Sequence, residues 1–205
     1  MKRKSVKCAL GRGSTPSSEP RAVLFVRRLS SSEGIDHFVA AAQFAAKEAS
    51  DVRFIAAGSP NSGFAAPMAR AFDAGFSLDL RARHLSNAEL VQLIEDARVV
   101  VLPYVDASQS GVVLTAYALE RSVITTDVGG LSDYVLDGVT GEVVAPGNDD
   151  QPAAATVRAC LEPGLLVQRE KGVAALVAGE TAWSGIADEV LVVYERAACR
   201  RRKPA

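Results

Sequence analysis

The feature that most constrains this chain is the regular alternation of short, continuous apolar runs with longer segments of helical periodicity. "AVLFV" (22–26), "VRFIAAG" (52–58), "RVVVLPY" (98–104), "SVITTD" (122–127) and "GEVVAP" (141–146) are apolar runs without a regular polar alternation. A strand of that kind has no wet face, so it belongs inside a sheet covered on both sides. A weaker strand is predicted near "LRAR" (80–83), which brings the count to about six. Between the strands, "IDHFVAAAQFAAKEA" (35–49) sets Ile35, Phe38, Val39 and Ala42 on one helical face. "GFAAPMARAFDAG" (63–75) reads as a helix with Pro67 suited to its first turn. "NAELVQLIEDA" (87–97) follows Ser86 and carries Glu89 at the third position, the spacing of a capping box. "GVVLTAYALE" (111–120) is a further helix, "LSDYVLD" (131–137) a short one, and three more are predicted at about 150–161, 165–178 and 181–198. Strand and helix in strict turn predict an α/β fold: a single Rossmann-like, doubly wound parallel sheet with helices on both faces.

Composition bounds what such a sheet could serve. The chain has 205 residues, 48% of them hydrophobic, enough for one large domain. Its net charge of -1 gives no global attraction to nucleic acid, and none is expected as a partner. Three cysteines, Cys8, Cys160 and Cys199, form no Cys-x-x-Cys pair, and only His37 and His84 could join a metal site. That pattern speaks against a disulfide framework or a structural zinc and fits a reducing cytoplasm. Asp106, Asp127, Asp133 and Asp137 sit near loops but in no metal-ligand spacing, so no metal cofactor is expected. Both ends are basic, "MKRKSVK" and "RAACRRRK", which allows peripheral contact with an anionic membrane face. Residues 1–20 read as a flexible Gly/Ser/Pro lead-in, 21–198 as the folded domain and 199–205 as a basic tail.

In a doubly wound sheet the ligand crevice lies beyond the carboxyl ends of the strands. Four loops are therefore the places to search: "VRRLSSSEG" (26–34), "AAGSPNSG" (56–63), "LPYVDASQSG" (102–111) and "TTDVGGLSD" (125–133). Each leads toward a helix N-terminus, where free N–H groups and the helix dipole favour an anion. In "SQSG", Ser108, Gln109 and Ser110 can cap the helix or donate to a phosphate, and Gly111 permits close approach. Arg27 and Arg28 end the first strand; either an anion or a carboxylate such as Glu33 or Asp127 must answer them. Neither a Walker A loop nor G-x-G-x-x-G occurs, and no Ser-His-Asp or Cys-His set suggests itself.

These segments, in this order, resemble the C-terminal domain of the nucleotide-sugar-dependent, retaining glycosyltransferases of the GT-B fold, the glycosyl transferases group 1 family. "VLFVRRLSSSEGID" is similar to that family's V-G-R-L-x-x-x-K-G-I-D segment. "LSNAELVQLIEDARVVVLPY" is similar to the stretch before its donor site. "SQSGVVLTAYALERSVITTDVGGLSDYVLDGVTGEVVAPGN" resembles its donor-site core, in a branch with A-[ST]-Q-S-G. "WSGIADEVLVVYERA" resembles its closing helix, so the likeness runs over about residues 22–197. The resemblance implies one half of a GT-B enzyme, inactive by itself, with an acceptor-binding domain or chain supplying the other half of the cleft. It implies an NDP-sugar as donor, Arg28 and Gln109 at the catalytic centre, and a donor-binding set of Arg27, Glu33, Gly58, Ser108, Ser110, Gly111, Thr115, Gly129, Gly130 and Leu131. Several positions depart from the family pattern. Arg27 stands for Gly, Glu33 for a diphosphate-binding Lys, Ala107 and Thr115 for the two carboxylates of E-x7-E, and Glu120 and Ser122 for the Gly and Pro of G-K-P-V-I. An unrelieved Glu33 charge about 5 Å from a leaving diphosphate would repel it by roughly 3 kcal/mol. The alternative is thus a non-catalytic partner or regulatory subunit that keeps the scaffold without the donor chemistry.

Overall fold

The computed structural model describes residues 22–61, 77–147, 149–179 and 183–201. The predicted lead-in at 1–20 and the predicted helix at 63–75 lie outside the described residues. Six strands form one all-parallel sheet: β1 (Ala22–Val26), β2 (Phe54–Gly58), β3 (Leu78–Ala82), β4 (Ala97–Leu102), β5 (Val123–Thr126) and β6 (Gly141–Val144), in the order β3-β2-β1-β4-β5-β6. The chain steps outward from β1 to β3, then returns to the other side of β1 and steps outward again. The switch point therefore falls between β1 and β4, the two central strands.

The burial of the strands follows from their composition. All five residues of β1 and of β2 are buried, as expected of apolar runs with no alternating polar face. The edge strand β3, "LDLRA", is only half-buried, which is why its signal in the sequence is weak. Alternate residues of the central strands feed two separate cores. Val23, Phe25, Val99 and Val101 join Ile35, Phe38 and Ala42 of helix α1 (Ile35–Glu48) and Ala155 and Ala159 of helix α4 (Asp150–Leu161) on one face. Leu24, Val26, Val100 and Leu102 join Ile94 of α2 (Asn87–Asp96), Val113 and Ala116 of α3 (Gly111–Ala118) and Val173 of α5 (Pro163–Ala178) on the other. Each fully buried Phe, Leu or Ile contributes about 2 kcal/mol, against about 0–1 for an exposed ion pair, so the two cores decide the fold. Phe25 and Phe38 tie the first face together with ring centroids 5.4 Å apart.

Helix α6 (Trp183–Arg201) closes the described chain and runs three residues beyond its predicted end. One expectation fails: "LSDYVLD" is a series of turns rather than a helix. Tyr134 and Val135 donate to Leu131 O, so a first turn forms, but the Leu136 N–H goes to the Thr140 hydroxyl at 2.9 Å. Gly138, at φ 72°, then reverses the chain toward β6. A side chain four residues ahead has outcompeted the next helical carbonyl.

Candidate functional site

The carboxyl-end loops are bound to one another through their backbones. Gly34 packs against the Pro103 carbonyl so closely that a Cβ would lie 1.8 Å from its oxygen. Gly129, at φ 57°, lies equally close to Ala107 O, and Gly130 N–H donates to Ser108 O at 3.1 Å. Leu29 N–H donates to Ser59 O, and Gly58 lies against the Arg27 carbonyl. The loops after β1, β2, β4 and β5 thus hold each other in fixed relation without help from long side chains.

A cleft of about 380 Å³ opens beyond β1 and β2, lined by Arg27, Arg28, Glu33, Gly58, His84 and Val112 among others. It gathers four of the residues singled out from the sequence. Arg27 is about a third exposed and has two neighbours that fix it. Its Nε lies 2.7 Å from Glu33 Oε2, and its guanidinium carbon sits 4.9 Å from the centroid of the Tyr104 ring. The Arg27 N–H is not aimed at Glu33 Oε2, which is buried and accepts no hydrogen bond, so this is a charge contact. Burial pulls the Arg27 pKa down, but Tyr104 and Glu33 outweigh it and hold the guanidinium firmly charged. Tyr104 has no exposed surface; burial raises its pKa against the opposing pull of Ser110 and Arg27. Arg28, one residue further on, is exposed and makes no ion pair among the described residues.

The "SQSG" loop is arranged differently. Ser110 is the N-cap residue of α3, yet its side chain makes no cap hydrogen bond. Its buried hydroxyl pairs instead with Tyr104 Oη at 2.9 Å. Nothing lies within 4 Å of a Cβ placed on Gly111, so α3 begins beside open space at that residue. Gln109 and Ser108 are exposed, with Gln109 Nε2 at 3.4 Å from Tyr134 Oη. Thr115 donates its hydroxyl to Gly111 O at 2.8 Å, so its one O–H is spent within the helix. Gly129 and Gly130 form the turn that closes this loop from behind. Leu131 is fully buried in the second core, so its side chain is no part of a binding surface: its apolar bulk packs with Leu102 and Tyr104 rather than lining a pocket.

Three features of the site escaped the sequence reading. Tyr104 was visible only as the end of a strand, although an aromatic directly after Pro103 at a carboxyl end was a usable sign. His84 faces the cleft from the loop after β3, where nothing in its neighbours marked it. Val112 and Leu90 line the same cleft from helices whose apolar residues read as core. The reading of a carboxylate partner for the arginines is met by Glu33, on Arg27 alone. Among the described residues no group of three or more His, Cys, Asp or Glu could hold a metal ion.

With this geometry in view, a family model described as "Glycosyl transferases group 1" matches residues 20–162. A D-inositol 3-phosphate glycosyltransferase from Mycobacterium bovis is 32% identical over 205 residues, covering 95% of this chain and 40% of that protein. An alpha-D-kanosaminyltransferase from Streptomyces kanamyceticus is 26% identical over 175 residues, covering 84% of this chain and 45% of that protein. The chain therefore spans less than half the length of these curated relatives. The crystal structure of the C-terminal domain of a glycosyl transferase group 1 family protein, LpcC from Francisella tularensis, is similar with a TM-score of 0.73 at 18% identity, covering 80% of this chain and 88% of that one. The Anabaena protein HepE, solved in complex with UDP, is similar with a TM-score of 0.72 at 16% identity, covering 88% of this chain and 49% of that one.

Proposed function

This chain belongs to the glycosyl transferases group 1 family, and from that premise we propose that it is the nucleotide-sugar-binding half of a glycosyltransferase. A separate acceptor-binding domain or chain completes the cleft. The observation that carries this reading is the conjunction at the switch point: an exposed Arg28, without an ion pair among the described residues, beside a helix N-terminus that its own N-cap serine does not cap. When a sugar leaves a nucleoside diphosphate, the C–O bond to phosphate breaks and its electron pair stays with the diphosphate. Arg28 and the open N–H groups of α3 supply positive charge where that negative charge grows. Gln109, at the mouth of the same helix, is the amide available to the phosphate or the transferred sugar. Gly111 leaves room for either. The solved UDP complex of HepE, whose fold this chain shares, supports the choice of ligand class. The basic ends would serve to bring the protein to an anionic membrane face. Titration calorimetry with UDP-, GDP- and dTDP-sugars tests the reading; no heat at millimolar ligand would sink it.

A second reading has its own support. Arg27 is already answered by Glu33, and Thr115 spends its one O–H on Gly111 O and brings no carboxylate to where a ribose would be gripped. Both fit a partner subunit that keeps the scaffold without the donor chemistry. Under that reading the Glu33→Lys variant gains weak nucleotide binding that the parent lacks, and a parent that binds micromolar UDP or GDP counts against it.

A further inference from the structure

Glu33 sits inside the cleft it would be expected to spoil. A carboxylate at a phosphate-binding mouth is unfavourable unless the protein holds it there, and three features do so. It ends the short 3-10 turn Ser31–Glu33, whose last N–H donates to Ser30 O at 3.1 Å. The next residue, Gly34, is jammed against Pro103, so the turn cannot slide away from β4 without parting the two central loops. The Glu33 side chain is only 14% exposed, and its Oε2 lies 2.7 Å from Arg27 Nε. Arg27 in turn is held over the ring of Tyr104, whose hydroxyl engages Ser110 at the start of α3. The chain Glu33–Arg27–Tyr104–Ser110 therefore joins the first loop to the helix terminus through side chains alone.

We propose that Glu33 is an internal anion that competes with the ligand's phosphate for Arg27 and so sets how strongly the cleft holds a diphosphate. With Arg27 neutralised locally, Arg28 carries the arginine charge in the cleft that no ion pair among the described residues takes up, and it can meet a phosphate. A ligand with a single phosphate loses little from this arrangement, because Arg28 answers it. A diphosphate must either leave its second phosphate beside the Glu33 carboxylate or draw Arg27 away from it. The buried Glu33 Oε2, which accepts no hydrogen bond, marks the pair as incompletely satisfied, so opening it costs less than opening a well-formed bidentate bridge. The pair is thus a brake on diphosphate affinity, released when Arg27 turns to the ligand. This inference rests on the nucleotide-binding reading of the cleft.

The test compares UDP with UMP, by calorimetry on the full chain, for the parent and for Glu33→Gln, which keeps shape and removes charge. Glu33→Gln should tighten UDP about tenfold, as expected for removing one partly screened like charge at short range, and should tighten UMP by less than threefold. The difference should shrink as salt rises. Glu33→Lys, folding checked by its melting temperature, should raise the UDP to UMP preference further. If the parent binds UDP and Glu33→Gln binds it equally or more weakly, the brake is wrong while the nucleotide reading stands. An equal gain for UMP and UDP also overturns it. If neither the parent nor either variant binds any nucleotide, the reading of the cleft fails and takes the brake with it.

Discussion

Helices α2 and α3 both begin after a serine, and only one of them is capped by it. Before α2, Ser86 accepts from the Glu89 N–H at 3.3 Å while the Glu89 carboxylate takes the Ser86 N–H at 2.9 Å, a complete capping box on the surface. Before α3, the Ser110 hydroxyl pairs with the Tyr104 hydroxyl in the core, and the helix start is left open beside Gly111. The same residue type at the same position has opposite outcomes because a buried phenol offers a better partner than an exposed N–H. An unsatisfied hydroxyl on a fully buried tyrosine is costlier than unfilled N–H groups that water or a ligand can reach. The open terminus is the one at the switch point, the capped one lies outside it.

The largest expected effect separates the glycines of the two loops closing on α3. Gly129→Ala should destabilise by at least about 3 kcal/mol, from its positive φ and the clash with Ala107 O, whereas Gly111→Ala should change stability by no more than about 0.5 kcal/mol. Urea midpoints measure both; similar losses would mean that α3 starts in a closed environment and would end the contrast. Next come the serines. Ser110→Ala should cost about 2 kcal/mol by orphaning the buried Tyr104 hydroxyl, against about 1 kcal/mol for Ser86→Ala, read from the same midpoints. The reverse order would show that Ser110 serves as a cap after all.

The C-terminal end of α3 offers a smaller, stabilising change. Glu120 adopts φ 57° at the position where a left-handed residue ends a helix, with Glu120 N–H on Tyr117 O and Arg121 N–H on Ala116 O. Glu120→Gly should raise stability by about 0.5 kcal/mol in thermal melts by relieving that conformation. The smallest effect is a pH dependence confined to α2. Hydrogen bonds from Arg83 and then from Ser86 pull the Glu89 pKa from its ordinary 4.5 down to about 2. A depressed carboxylate stabilises above its unfolded pKa, so the contribution is complete above about pH 4.5 and is lost as pH falls toward 2. The difference in melting temperature between the parent and Glu89→Gln should therefore vanish across that window; a constant difference would refute the ion-paired cap.

Much of this is legible in the sequence alone. The strand β1 occupies the five residues of its apolar run, and the capping box at Ser86 has the partners its spacing announced. Such features depend on neighbours within a few residues. The misread helix at 131–137 depended on Thr140, which reaches back across a turn, and Leu131 looked like a loop residue until packing drew it into the core. At the site, the arginines and the "SQSG" loop stood out by composition, while Tyr104 and His84 entered only through long-range packing.

The sequence by itself determined a parallel α/β sheet, the approximate bounds of the described strands and most of the described helices, and the loops at which a ligand would be sought, because apolar periodicity and end-capping are local and sum within each segment. Only the tertiary structure decided the strand order that puts β1 beside β4, the turn of Ser110 toward Tyr104, and the choice of Glu33 rather than a more distant acid as the partner of Arg27. Those outcomes turn on which groups share a buried volume, and burial is settled only when the two faces of the sheet have closed.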